Sequence, residues 1–116
     1  MIRTEGFSII MTAGDTGAVT FHADDFDVLD GDLAVFTVKQ YGQVMMERII
    51  EPDGNGFTVF FLNPDTEKWS GGEYRYDLRI VRGAVFDGDG RIVDGMSVMT
   101  PMPPSLLRIE RAVGAV

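Results

Sequence analysis

The chain has no cysteine. That excludes disulfides, thiolate metal sites and a cysteine nucleophile, so packing and hydrogen bonds must hold the fold. It also fits assembly in a reducing cytoplasm. There is one histidine, His22, between Phe21 and Ala23 in a segment that reads as a strand. A serine or threonine triad would need it, and no Gly-x-Ser-x-Gly elbow supplies a nucleophile. No glycine-rich loop leads into a helix through Lys-Ser or Lys-Thr, which leaves no phosphate cradle. No apolar run reaches the roughly 18 residues of a membrane helix. The N-terminus, Met1-Ile2-Arg3-Thr4-Glu5-Gly6, carries an early acid and no apolar core, unlike a signal peptide. Basic residues are also scarce: ten Lys and Arg face eighteen Asp and Glu, for a net charge of −8. That field repels nucleic acid and anionic membrane surfaces, and the few cations are scattered, so neither is expected as a partner.

What remains suits one all-β domain over residues 1–116, with an ordered core at about 7–111. A chain of 116 residues that is 45% hydrophobic can bury one substantial core. Fourteen glycines and five prolines break it into short runs rich in Val, Ile, Phe and Tyr, the spacing of an antiparallel sandwich. Strands are expected at 7–12, 19–22, 34–39, 44–51, 57–62, 73–80, 96–99 and 106–110, seven or eight in all. Tyr41-Gly42 and Asp87-Gly88-Asp89-Gly90 read as hairpin turns. Paired apolar residues at Met45-Met46 and Ile49-Ile50 suggest a bulge or burial on both faces. Phe57–Leu62 is almost wholly apolar and reads as a strand covered on both faces. Asn63–Trp69 reads as a helical turn capped by Asn63 with Pro64 at its first position. The cleanest strand is Glu73–Ile80: Tyr74, Tyr76, Leu78 and Ile80 point one way, and Glu73, Arg75, Asp77 and Arg79 the other. Pro101-Met102-Pro103-Pro104 reads as a blocked edge, and Val113–Val116 as a frayed end.

Four patterns could carry chemistry. Asp24, Asp25 and Asp27, with Asp30 and Asp32 behind them, form an oxygen-rich loop of the kind that binds calcium; a solvated loop is the plainer reading. Asp87 and Asp89 begin like an EF-hand loop, but the third and closing ligand positions fall on Arg91 and Val98. Asp15-Thr16-Gly17 is the aspartic-protease triplet, without the hydrophobic-Gly-Arg-Asn/Asp segment such proteases carry. Glu47 and Glu51 are the acids in the most apolar company, though a catalytic pair also needs a cleft. Among the aromatics Tyr41, Trp69, Tyr74 and Tyr76, a core or tyrosine-corner role is expected for Tyr74 and Tyr76. Trp69, in a polar segment, is the candidate ligand platform. No catalytic residue and no cofactor is assigned.

Three stretches in order carry a family likeness: Gly14-Asp15-Thr16, Phe36-Thr37-Val38-Lys39, and Pro64-Asp65-Thr66 followed by Gly72-Glu73-Tyr74-Arg75-Tyr76-Asp77. With Pro104-Ser105 before a last strand, this resembles the immunoglobulin-like N-terminal domain of phage and prophage baseplate upper proteins and related tail proteins. The resemblance spans about residues 7–111. It implies an immunoglobulin-like two-sheet antiparallel β-sandwich and a non-enzymatic structural role in a tail or baseplate. The implied partners are other tail or baseplate proteins or further copies of the chain, in a virion assembled in the bacterial cytoplasm. The second expectation is a carbohydrate-binding or adhesion module built on exposed aromatics.

Overall fold

Alternation sets the faces of the longest strand, Gly72–Phe86. Tyr74, Tyr76, Leu78 and Ile80 are buried, while Glu73, Arg75 and Arg79 are exposed. The computed structural model, which describes residues 2–23, 26–99 and 104–110, builds an all-β sandwich around this strand. The elements are β1 (Arg3–Glu5), β2 (Ser8–Thr12), β3 (Gly17–His22), β4 (Leu33–Gln40), β5 (Gln43–Ile50), β6 (Gly56–Phe61), α1 (Asn63–Thr66), β7 (Gly72–Phe86), β8 (Ile92–Met99) and β9 (Ser105–Glu110). Pro101–Pro103 of the expected blocked edge and the expected frayed end at 113–116 lie outside the described residues.

Among the described residues the large sheet runs β1-β2-β9-β7-β4-β5, and the small one is β3-β6. β8 pairs with the far half of β7, on the side where β9 pairs with the near half. Pairing is antiparallel except between β2 and β9, which run parallel from Ile9↔Leu107 to Thr12↔Glu110. The expected wholly antiparallel sandwich is corrected on that point. Periodicity gives a strand its faces but not its direction beside a partner a hundred residues away. Two further expectations change. β6 is covered on one face only: Phe57, Val59 and Phe61 are buried, but Phe60 is 66% exposed. Asn63 is not the helix cap. Leu62 holds that position, Asp65 accepts its N–H at 2.8 Å, and the Asn63 amide instead donates to the Gly14 carbonyl at 3.1 Å. The expected bulge is present: the register slips so that Val38 faces Met46 and Lys39 faces Val44, leaving Met45 unpaired in β5.

One apolar core lies between the sheets. Its centre is Phe36 of β4, packed 6.2 Å from Phe21 of β3, 6.0 Å from Phe61 of β6 and 5.4 Å from Tyr76 of β7, centroid to centroid. Phe21 and Tyr76 also meet at 5.8 Å. Each such pair adds about 0.5–1.5 kcal/mol beyond its buried area. Tyr74, at the start of β7, donates its hydroxyl to the Ser70 carbonyl at 2.9 Å and stacks on Trp69 at 4.9 Å. A tyrosine opening a strand and bonding back to backbone just upstream is the tyrosine corner of immunoglobulin-like sandwiches. Tyr76 bonds through its hydroxyl to the carbonyl of Phe7 and so ties β7 to the β1–β2 turn.

Two stability effects follow. Tyr74→Phe removes the corner bond and leaves the Ser70 carbonyl short of its donor. Urea denaturation should show a loss of about 1–2 kcal/mol, and an unchanged midpoint would contradict the corner's role. Burial pushes the Tyr76 phenol up to about 12 from 10.0. Between those pH values the unfolded chain gives up this proton and the folded chain keeps it, so stability should fall as pH rises through the window. Tyr76→Phe, compared by denaturation across the same range, should lack that component of the slope.

Candidate functional site

The motifs behind the family likeness meet in space. The Gly14 N–H donates to Thr66 Oγ1 at 3.0 Å, and Thr66 is fully buried. Gly14 sits at φ +85, and a Cβ there would come within 2.8 Å of the Asn63 amide nitrogen, so the approach requires glycine. Asp15 closes the same turn by accepting the Thr12 N–H at 2.8 Å. Its carboxylate is a turn clasp, and His22 is an exposed residue at the end of β3.

Asp24 and Asp25, two of the three calcium candidates, lie outside the described residues. Asp27 is exposed, and its carbonyl accepts a bond from Arg82 Nη2 at 3.4 Å. Asp32 is 1% exposed and is gripped on both oxygens by Arg82, at 3.0 and 2.9 Å, while accepting the Leu29 N–H at 2.9 Å. The Arg82 guanidinium also lies 5.2 Å above the Phe26 ring. The Arg82 bonds, with the Leu29 N–H, hold the Asp32 carboxyl below its ordinary value of 3.8. This carboxylate therefore pins the acidic loop to β7. Among the described residues no three His, Cys, Asp or Glu side chains gather as a metal cluster. Asp87 accepts the N–H groups of Asp89 and Arg91, both at 2.9 Å, which closes the expected β7–β8 turn. Glu47 and Glu51 are both exposed.

Trp69 was expected to be partly exposed. It is 9% exposed and stacked on Tyr74, because the segment after α1 drops back onto the corner; it offers no ligand platform. The exposed aromatics are elsewhere. Tyr41 is 99% exposed at the tip of the β4–β5 hairpin with φ 52, beside Gly42 at φ 79. Positive φ at both central residues is what a favoured two-residue hairpin turn requires, although a bulky residue at the first of them costs energy.

The expected hairpin around Asp87-Gly88-Asp89-Gly90 extends into a long arm. β7 runs on past the sandwich and returns as β8, with register shifts between Arg82 and Val85 and Gly83 at φ +66. These bend the arm back over the outer face of the large sheet. Gly95 packs on Val81, where a Cβ would come within 2.7 Å of the valine. Ile92 to Gly95 line, with Val35 and Glu47, an open recess of about 340 Å³. The arm leaves Val85 51%, Phe86 46%, Val93 61% and Met96 66% exposed. A second groove, of about 590 Å³, runs between β5 and β6, lined by residues that include Arg48, Ile49, Glu51, Phe60 and Leu62. Arg48 reaches from β5 to pair with Asp65 of α1. Comparison with protein-family models, with curated proteins and with solved structures finds no match for this chain.

Asp32→Asn should weaken the Arg82 clasp by about 2 kcal/mol, the solvent at Arg82 keeping the loss below that of a fully buried pair. Because the Asp32 carboxyl is held below 3.8, its contribution is present above that value and is lost as pH falls through the lowered one. Acid denaturation should therefore be flatter in the variant below pH 3.8. Equal acid slopes in the two proteins would contradict the assignment.

Proposed function

We propose that this domain is a non-enzymatic structural component of a phage or prophage tail or baseplate that works through protein–protein contacts. The observation that carries the reading is the β7–β8 arm, with Val85, Phe86, Val93 and Met96 between 46% and 66% exposed on one appendage. Apolar side chains gathered in one place favour a partner surface over isolated exposed residues. The meeting of Gly14 with Thr66 supports the family likeness, since it gives both short motifs a shared structural reason to occur together. The strong net negative charge of −8 keeps such a module soluble until it meets its partners.

The carbohydrate-binding reading rests on exposed aromatics such as Tyr41, which lies beside Lys39, Gln40, Glu73 and Arg75 around a recess of about 420 Å³. Tyr41 is the one aromatic among the described residues lining that recess, a weaker platform than the arm is a contact surface.

Phage particles purified from a strain that carries this gene should contain the chain at a fixed ratio to the tail proteins by mass spectrometry. Replacing Phe86 and Met96 with serine should remove it from the particles while leaving the fold intact by circular dichroism. Particles that never contain the chain, or that retain the variant fully, would contradict the proposal.

A further inference from the structure

The small sheet is two strands wide and faces a sheet six strands across. An immunoglobulin sandwich of the constant type places four strands in the sheet that β3 and β6 represent, one of them on the outer side of β6. Here the β5–β6 turn closes at once through paired Asp53–Gly56 bonds of 2.8 and 3.0 Å, and among the described residues no strand takes that place. β6 pairs with β3 in unbroken register over six residues, Gly56-Phe57-Thr58-Val59-Phe60-Phe61. It contains no charge, no proline and no bulge. Natural sheets guard free edges with those devices. β5, the other free edge on this flank, has them: Glu47, Arg48 and the bulge at Met45. The undefended edge opens on the 590 Å³ groove, where Ile49 is 38%, Phe60 66% and Leu62 61% exposed. The groove is acidic. Glu51, Asp53 and Asp65 stand against Arg48, whose guanidinium is already paired with Asp65.

We propose that this flank receives an extended segment of a partner protein as a third strand of the small sheet, with apolar and basic side chains in alternation. Main-chain pairing along β6 supplies affinity, and alternate side chains supply selectivity. The apolar set lies on Ile50 and Leu62, and the basic set meets Glu51 and Asp53. Charge decides the occupant. A second copy of a chain of net charge −8 would bring repulsion to an acidic groove, whereas a basic strand is attracted to it. The inference rests on reading the domain as a contact-making module, and it assigns that contact to a different surface from the arm.

The probes are two synthetic peptides, Lys-Val-Lys-Val-Lys-Val and Glu-Val-Glu-Val-Glu-Val, titrated into the labelled intact protein and followed by amide chemical shifts. The basic peptide should shift Thr58 to Phe61, bind at least about tenfold more tightly than the acidic one, and weaken as salt is added. A Glu51→Lys, Asp53→Lys double variant, changed only at exposed side chains, should lose that preference while keeping its own spectrum. Equal binding of both peptides, shifts confined to the β7–β8 arm, or no binding at all would overturn the inference. So would concentration-dependent shifts of β6 in the protein alone, which would make a second copy the occupant. If the chain is present in particles while the peptide fails to bind, the assembly role survives and this site does not. If the peptide binds and particles lack the chain, the reverse holds.

Discussion

Phe21, Phe36 and Tyr76 meet between the two sheets with ring centroids 5.4–6.2 Å apart, and the rest of the fold depends on that contact. In antibody-type sandwiches a disulfide between the sheets, packed against a strand-borne tryptophan, joins the two layers. This chain has no cysteine, so the join is made by three aromatic side chains from β3, β4 and β7. Their area, and not a covalent bond, holds a two-strand sheet against a much wider one. Tyr76 extends the join outward by bonding to the Phe7 carbonyl, and Tyr74, two residues earlier, fixes the crossover by bonding to that of Ser70.

The sequence displayed the faces of strands better than their neighbours. Strict alternation in Glu73–Ile80 placed Tyr74 and Tyr76 in the core, and the structure buries both to 1% exposure. The doubled apolar pairs of β5 pointed to a bulge, and the register slip at Met45 is that bulge. What could not be read depends on distant partners. The parallel β2–β9 pair joins residues about a hundred apart in the chain. Trp69 sits among polar neighbours in sequence, yet Tyr74 draws it inward in space. Phe60 stands in an apolar run that implied two covered faces, but among the described residues no layer packs on the outer face of the small sheet, and Phe60 stays 66% exposed. The Arg82–Asp32 clasp links residues fifty apart, and neither residue is distinctive in a chain with eighteen acids. Of the candidate surfaces, the two hairpin tips were legible, through Tyr41-Gly42 and through Asp87-Gly88-Asp89-Gly90.

These features divide the molecule by role. Several carboxylates serve structure: Asp15 closes a turn, Asp32 binds Arg82, Asp65 caps α1 and pairs with Arg48, and Asp87 closes a hairpin. Among the apolar groups that stay in solvent, Val85, Phe86, Val93 and Met96 lie on the arm, and Ile49, Phe60 and Leu62 along the open flank of β6. A stable centre with unspent apolar surface at its margins is the physical profile of a module whose purpose is contact, and that profile underlies the assembly role we propose.

Amide hydrogen exchange, compared between the free domain and the domain within purified particles, tests that role most directly. Amides of β7 around Tyr74 to Leu78 should be protected in both states. The outward-facing amides of β6 and those of the β7–β8 arm should exchange quickly in the free domain and slow down in the particle. Identical protection of β6 and the arm in both states would show that neither surface is used, and would contradict the account.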